Sequence, residues 1–284
     1  MRSGEFVCLM YHDLGAPAEQ AGRIDFGHAP YVVSGSAFAR QMSYLRAQGL
    51  RGCTVSEALQ GSRRAVALTF DDGTSSDIEQ AAPALVYARF SATFYVVTSR
   101  VGSNGYLSRF DLQYMSALGF EIGSHSVNHV YLPGLARPEL ELELRDSKDR
   151  LEQWIGSPVA HFSCPFGGRT PAVIAAAMEA GYKSVATSDI GVNRVGEAVL
   201  QRVAVRRNTS LYNFARLCAG ETLLYPRIRQ TVLSGVKSMI GFSAFSLVSR
   251  SLPRGLTPSH PGVKVRSERV RGQRLESVKD RLVA

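Results

Sequence analysis

The stretch Val66-Ala67-Leu68-Thr69-Phe70-Asp71-Asp72-Gly73 decides the fold, because an apolar run of strand length ends in two adjacent carboxylates and a glycine. Neighbouring residues of a strand point to opposite faces, so we expect Asp71 and Asp72 to have different partners. Two adjacent carboxylates repel each other, which predicts a cationic group that keeps both of them ionised. The alternative is an ordinary Asp-Asp-Gly turn after a core strand, since Asp and Gly both favour turns.

Strand-like and helix-like segments alternate on both sides of this stretch. The predicted strands include residues 6–11, 65–70 and 92–98, and the clearest helix covers 138–155. Such alternation predicts an α/β fold in which helices cover parallel strands. A barrel-like sheet and an open sheet both fit the pattern.

The charge of the chain is unevenly distributed. The 284 residues carry a net charge of +9, and residues 221–284 hold 12 Lys and Arg against 4 Asp and Glu. We therefore predict a main domain over 1–220 and a basic C-terminal extension over 221–284, helical in part and then disordered. The extension has no aromatic interleaving and no recognised module, so we expect no binding of nucleic acid.

Residues 232–249 of the extension are apolar or small, apart from Lys237, and arginines flank them. They predict a helix that either lies on an anionic membrane or packs against the main domain. The sequence has no secretory signal and no apolar run long enough to span a bilayer. The predicted location is therefore cytoplasmic, and the extension leaves peripheral contact with the inner membrane open.

A second chemical signal lies at Ile122-Gly123-Ser124-His125-Ser126-Val127-Asn128-His129. Two histidines four residues apart share one face of a helix, although loop histidines without a ligand are as common. Together with one aspartate of the 71–72 pair, they form a set that can hold a divalent ion with positions left open. Such an ion lowers the pKa of bound water, and the second aspartate can accept the proton.

A third signal is the run His161-Phe162-Ser163-Cys164-Pro165-Phe166-Gly167-Gly168, which predicts a strand followed by a tight turn. A backbone N–H of such a turn can stabilise an oxyanion, although most turns of this kind have no catalytic role.

The three runs, in this order, resemble the polysaccharide deacetylase family (carbohydrate esterase family 4) over roughly residues 5–215. The resemblance implies a distorted (β/α) barrel, a catalytic domain over 1–220 and hydrolysis of an acetyl group on a sugar. It matches Asp71 to the catalytic base and Phe166 to the aromatic residue whose N–H helps bind the oxyanion. It matches Asp72, His125 and His129 to the ligands of one divalent metal ion, with zinc the first choice.

One departure from the family concerns the partner of Asp71. Many members carry an arginine that orients the base, and Ser163 stands in its place here. The sequence leaves the replacement open. Asp189 with Arg202 or Arg206 could support the site residues, but surface ion pairs are favoured for them.

Another departure concerns the general acid. The run Leu200-Gln201-Arg202-Val203 lacks the histidine that ends a late motif in many members. His12 follows the first predicted strand, as in the branch that deacetylates poly-N-acetylglucosamine and related exopolysaccharides. We therefore predict His12 as the general acid, with a capping or structural role as the alternative.

These features predict a metal-dependent hydrolase that removes acetyl groups, chiefly N-acetyl, from an N-acetylhexosamine-containing polysaccharide or its intracellular lipid-linked precursor. The alternative is a catalytically inactive sugar-binding or scaffold protein on the same fold, favoured by the two departures from the family.

Overall fold

A computed structural model of the chain describes residues 2–15, 29–61 and 64–221. The strands are β1 (Glu5–Tyr11), β2 (Arg51–Cys53), β3 (Ala65–Asp72), β4 (Thr93–Val96), β5 (Glu121–Ser124), β6 (His161–Ser163), β7 (Ser184–Ala186), β8 (Asn193–Arg194), β9 (Val199–Leu200) and β10 (Val203–Ala204). The helices are α1 (Gly35–Ala47), α2 (Val55–Leu59), α3 (Ala82–Ala88), α4 (Arg109–Ala117), α5 (Arg137–Ile155), α6 (Pro171–Glu179) and α7 (Leu211–Cys218). One turn of π-helix, Asp77–Ala81, leads into α3.

The strands form one sheet in the order β10-β1-β3-β4-β5-β6-β7-β9, with β2 paired to β3 and β8 paired to β1. Every pairing along this order is parallel, and β8 is antiparallel to β1. The sheet curls into a nearly closed barrel, so the predicted (β/α) barrel is confirmed. The end strands β9 and β10 are separated in the chain by only Gln201 and Arg202, which places these two residues at the closure of the barrel.

Strand β3 shows how the alternation of side chains builds the core. All eight of its residues are buried. Val66, Leu68 and Phe70 pack with apolar residues of the surrounding helices, whereas Ala65 and Ala67 belong to a second cluster on the other face of the strand. That second cluster fills the barrel interior and also contains Phe6, Cys8, Cys53, Tyr95, Ala186 and Leu200.

The interior of the barrel changes from apolar to polar along β3. Thr69 and Asp71 continue the inward-facing set of Ala65 and Ala67, because successive residues of a strand alternate between its faces. Parallel strands of a barrel end at the same face, where the following loops converge. The sequence of β3 therefore places its two carboxylates at the carboxyl edge of the sheet, where a site can form.

The predicted basic extension, with the predicted helix 232–249, lies outside the described residues apart from Glu221. Its structure and its contact with a membrane stay predictions, as does the cytoplasmic location. Within the described ranges, none of the helices combines the length and the apolar character that a membrane span requires.

Candidate metal centre and active site

The predicted site residues come from four strand ends at the carboxyl edge of the barrel. His12 follows β1, Asp71 and Asp72 end β3, His125 follows β5, and the turn that carries Phe166 follows β6. The ring of Phe166 lies 4.6 Å from the ring of His129, centroid to centroid, so the last turn also borders the site.

Asp72, His125 and His129 form a compact cluster of ligand atoms. One ligand atom from each residue lies within 4.8 Å of the others. Asp72 Oδ1 is 3.3 Å from His129 Nε2 and 3.9 Å from His125 Nε2. Atoms bound to one zinc ion at about 2.0–2.2 Å lie roughly 3–4 Å from each other, so the separations fit a single small cation.

Both imidazoles of the cluster are in a form that can bind a cation. His125 Nδ1 lies 2.8 Å from the backbone carbonyl oxygen of Ser163. Because a carbonyl oxygen only accepts, Nδ1 is the donor of this bond, and Nε2 is the ring nitrogen that faces the cluster and can act as a ligand. Burial first, and then the neighbouring His125, lowers the pKa of His129 to about 3, so His129 is neutral at physiological pH.

The two histidines lie in an irregular loop. They therefore do not share one face of a helix, which is the arrangement that their spacing would give in a helical segment. Glu143 of α5 holds this loop, accepting hydrogen bonds from the backbone N–H groups of Val127 and Asn128, both at 2.9 Å, and from the Asn128 side chain at 2.7 Å. His129 N–H donates to Ser126 Oγ at 3.0 Å. The sequence interpretation did not single out Glu143, since a glutamate in a charged helix gives no signal of burial.

Backbone strain is concentrated in these loops. Six non-glycine residues of the described part have a positive φ, and four of them, Asp72, Ser126, His129 and Phe166, border the site. Such conformations cost about 1–3 kcal/mol each and persist only where the surrounding structure enforces them. Most of the strained non-glycine residues in the described part of the chain therefore lie beside the site, at the expense of stability.

Asp71 has a different partner from Asp72, as the alternation along the strand predicted. The guanidinium of Arg202 donates to both of its carboxylate oxygens, from Nη1 to Oδ1 at 2.7 Å and from Nη2 to Oδ2 at 2.8 Å. Nη2 also donates to Ser163 Oγ at 2.8 Å. Arg202 therefore occupies the place of the arginine that the sequence lacks at position 163.

The expected surface ion pair for Arg202 is thus wrong, because its side chain is buried inside the barrel with 1% of the residue exposed. The other donors are satisfied as well, with Nε bonded to the Thr187 carbonyl at 2.9 Å and Nη1 to Thr69 Oγ1 at 3.3 Å. Asp189, in contrast, does form a half-exposed ion pair, with Arg169. Local sequence could not separate the two cases, because barrel closure decides which residue faces inward.

The pKa of Asp71 reflects this environment. Burial on its own raises the pKa of the carboxyl group, but the positive charge and hydrogen bonds of Arg202 lower it well below its usual range. Asp71 is therefore ionised at neutral pH although its carboxylate is buried. Its Oδ2 atom lies 4.0 Å from His125 Nε2, at the edge of the ligand cluster.

The remaining two predicted residues, His12 and Phe166, have different surroundings. His12 packs against the ring of Tyr31 at a centroid distance of 4.8 Å, and its charge acts on both Asp71 and Asp72. Phe166 is about half exposed, at 51%, in a turn with a positive φ of 56°. The structure thus brings all six predicted site residues to one edge of the barrel.

Comparison with known proteins shows similarity to polysaccharide deacetylases, the family that the sequence motifs resemble. The family model of polysaccharide deacetylases matches residues 58–185. The chain is 27% identical over 206 residues to YxkH of Bacillus subtilis, which is named as a candidate polysaccharide deacetylase. This match covers 69% of this chain and 70% of YxkH. It is 34% identical over 125 residues to a peptidoglycan-N-acetylglucosamine deacetylase of Bacillus cereus, a match that covers 44% of this chain and 56% of that protein.

The folds agree as well. The crystal structure of BC0361, a polysaccharide deacetylase from Bacillus cereus, superposes with a TM-score of 0.67 at 25% identity, covering 75% of this chain and 69% of that one. The motif order, the barrel and these similarities agree, and the chain is similar to polysaccharide deacetylases in fold and, over residues 58–185, in sequence.

Proposed function

We propose that the chain is a metal-dependent hydrolase that removes N-acetyl groups from a carbohydrate containing N-acetylhexosamine. The observation that carries this proposal is the cluster of Asp72, His125 and His129, whose ligand atoms lie within 4.8 Å of each other beside the ionised Asp71. A carboxylate that is held ionised next to a three-ligand cluster is an arrangement suited to activating water.

Asp72, His125 and His129 would hold one divalent ion, zinc by preference, since one carboxylate and two neutral imidazoles suit it. When bound, this ion polarises the acetyl carbonyl and lowers the pKa of a water molecule. The fit is supported by the orientation of His125, whose Nδ1 is committed to the Ser163 carbonyl.

Asp71 acts as the general base in this proposal. Its carboxylate accepts a proton from the water molecule, and the water oxygen attacks the carbonyl carbon of the acetyl group. Arg202 keeps Asp71 ionised and fixes the direction of both carboxylate oxygens. A positioned general base typically contributes about 10²–10⁴-fold to the rate.

His12 acts as the general acid. It donates a proton to the sugar nitrogen as the carbon–nitrogen bond breaks, so that the amine leaves neutral and acetate is the second product. The position of His12 supports this role, because it follows β1 at the carboxyl edge of the sheet, close enough to both aspartates to lower their pKa values. The backbone N–H of Phe166 stabilises the oxyanion in this scheme, by the match with the family.

The substrate class is supported by the relative from Bacillus cereus, whose name specifies N-acetylglucosamine in peptidoglycan. Either a polysaccharide or a lipid-linked precursor of one would present such a sugar. The rival hypothesis of an inactive sugar-binding protein loses one of its two arguments, because Arg202 supplies the guanidinium that Ser163 does not.

The test is acetate release from a panel of N-acetylated and O-acetylated oligosaccharides by the full chain, with metal content measured beforehand. We expect release of acetate from N-acetylated substrates, loss of release with a chelator and recovery with zinc. Asp72→Asn should lose both bound metal and activity, and the control Asp146→Asn, on the exposed face of α5, should keep both. A metal-loaded protein that releases no acetate from any substrate would contradict the proposal.

A further inference from the structure

Arg100 lies beside the proposed metal centre but belongs to none of the three sequence motifs. It ends a short turn of helix, Thr98–Arg100, that follows β4. The backbone N–H groups of Thr98 and Ser99 donate to the carbonyls of Ser126 and Val127, at 3.2 and 3.0 Å. The turn is therefore fixed to the loop that carries both histidines.

The guanidinium of Arg100 lies between the buried carboxylates and solvent. Its Nη1 donates to Asp72 Oδ1 at 3.3 Å, and its central carbon lies 5.3 Å from the ring centroid of Tyr106. Of the two side chains, Arg100 is 32% exposed and Asp72 is 9% exposed. One nitrogen of the guanidinium thus contacts the site, and about a third of the side chain is open to solvent.

The two arginines of the site differ in how many of their N–H donors form hydrogen bonds within the protein. Arg202 makes five hydrogen bonds, which matches the five N–H donors of a guanidinium. Arg100 makes one side-chain hydrogen bond to the part of the chain that the structure describes. Most of its donors are therefore available to a ligand that enters the site.

The charged groups of the site indicate whether that ligand is anionic or cationic. Arg202 offsets the charge of Asp71, and Arg100 already lies against Asp72, so the four groups sum to zero charge. Imidazoles coordinate a metal as neutral ligands, so a bound divalent ion would leave the site positive. A positive site with a partly exposed guanidinium favours an anionic ligand over a neutral one.

We propose, building on the deacetylase function above, that Arg100 binds an anionic group, a carboxylate or a phosphate, carried by the substrate next to the acetylated sugar. The substrate class is then an acidic glycan or a phosphate-linked sugar rather than a neutral polymer. A guanidinium suits both anions because its planar set of donors matches paired oxygens. Stacking on Tyr106 keeps its plane in place for that contact.

The test compares kcat and KM on matched substrates with the metal-loaded full chain. One substrate is a tetrasaccharide alternating N-acetylglucosamine with glucuronate, another is its carboxyl-reduced neutral counterpart, and a third is N-acetylglucosamine 1-phosphate. We expect wild-type kcat/KM to be at least tenfold higher on an anionic substrate than on the neutral one. Preference for the glucuronate or for the phosphate substrate identifies which anion is recognised.

In Arg100→Gln we expect the ratio of kcat/KM on the anionic substrate to kcat/KM on the neutral one to fall to about one. The change should come from a higher KM on the anionic substrate, with little change in kcat. Arg100→Lys should keep part of the preference, because it retains the charge without the paired donors. The control Arg169→Gln removes one positive charge from the loop between β6 and α6, at an arginine already paired with Asp189, and it should leave the preference unchanged.

Two outcomes would overturn the inference while leaving the deacetylase function intact. One is an unchanged preference in Arg100→Gln, and the other is an equal loss of kcat on anionic and neutral substrates. Calorimetric binding of the anionic substrate that wild type prefers, measured with wild type and with Arg100→Gln, is independent of turnover. Equal affinities there would reject the role of Arg100, whereas binding that depends on Arg100 without acetate release would reject only the proposed reaction.

Discussion

Arg202 and Asp71 form a buried bidentate ion pair, with Nη–Oδ distances of 2.7 and 2.8 Å, that joins the closure of the barrel to the end of β3. The two residues are 131 positions apart in the chain. The contact gives one guanidinium two functions, since it completes the barrel interior and orients the proposed general base.

Removal of this guanidinium should affect both stability and the pH dependence of activity. Breaking a buried ion pair from one side typically costs about 3–5 kcal/mol, so Arg202→Gln should lower the free energy of unfolding by that amount. Arg202 holds the pKa of Asp71 down, so its loss raises that pKa and moves the acidic limb of kcat/KM to higher pH. Urea unfolding and a pH–rate profile measure the two effects.

A second variant separates the positioning function from the general cost of a buried charge. Ser163 Oγ lies 3.4 Å from Asp71 Oδ2, so an arginine at position 163 can reach the same carboxylate. The double variant Arg202→Gln/Ser163→Arg should recover part of the activity and return the acidic limb toward its wild-type position. An acidic limb that does not move in Arg202→Gln would contradict the link between the two residues.

The two adjacent aspartates should give different results when each is replaced by asparagine. Asp71→Asn should lower kcat by about 10²–10⁴-fold while bound metal stays at the wild-type level, because only the proton acceptor is lost. Asp72→Asn should lower both, since Asp72 Oδ1 is one of the clustered ligand atoms. Metal analysis of purified protein, alongside acetate release, distinguishes these results. Equal metal loss in both variants would refute the separate roles.

His12→Gln should lower kcat on N-acetylated sugars by about 10²–10⁴-fold, because the amine then leaves without a proton donor. An activated ester such as 4-nitrophenyl acetate has a leaving group that needs no proton, so its hydrolysis should stay near the wild-type rate. Measurement of both substrates in one preparation provides the control. A similar loss on the two substrates would instead indicate that His12 supports the structure of the site.

Asp77 predicts a dependence of stability on pH. Its residue is 0% exposed, and neither carboxylate oxygen has a hydrogen-bond partner in the described part of the chain. Burial first, and then the charges of Asp13, Asp72 and Asp71, raises its pKa well above the usual range. The pKa of Asp77 is therefore higher in the folded state than in the unfolded state, and this difference contributes to stability. The contribution is complete below the unfolded-state pKa and is lost as the pH rises toward the folded-state pKa.

Asp77→Asn should therefore stabilise the protein at neutral pH, on the order of 1 kcal/mol or roughly 2–4 °C in Tm, and have little effect near pH 4. Thermal unfolding across this pH range measures the difference between the two proteins. The exposed control Asp146→Asn should show no such trend. A stabilisation that does not grow with pH would contradict the assignment of a neutral Asp77.

The barrel was implied by the family resemblance, since the alternation alone fitted an open sheet as well. The sequence pattern by itself determined the α/β alternation, the parallel strands and the two aspartates with their opposite orientations. These features depend on local patterns, namely apolar runs of strand length, alternation along β3 and turn residues at the strand ends. His125 and His129 were also evident from their spacing, although the loop that brings them together is irregular and depends on Glu143.

Only the tertiary structure decided which arginines pair with the carboxylates of Asp71 and Asp72. Arg202 lies between two strands of two residues each, a pattern that is the same for an inward and an outward side chain. Closure of the sheet between β9 and β10 turns it inward, and burial then makes its pairing with Asp71 obligatory, because an unpaired charge inside the barrel is too costly. Arg100 reaches Asp72 for a related reason, since the loop after β4 is fixed by hydrogen bonds to the loop after β5.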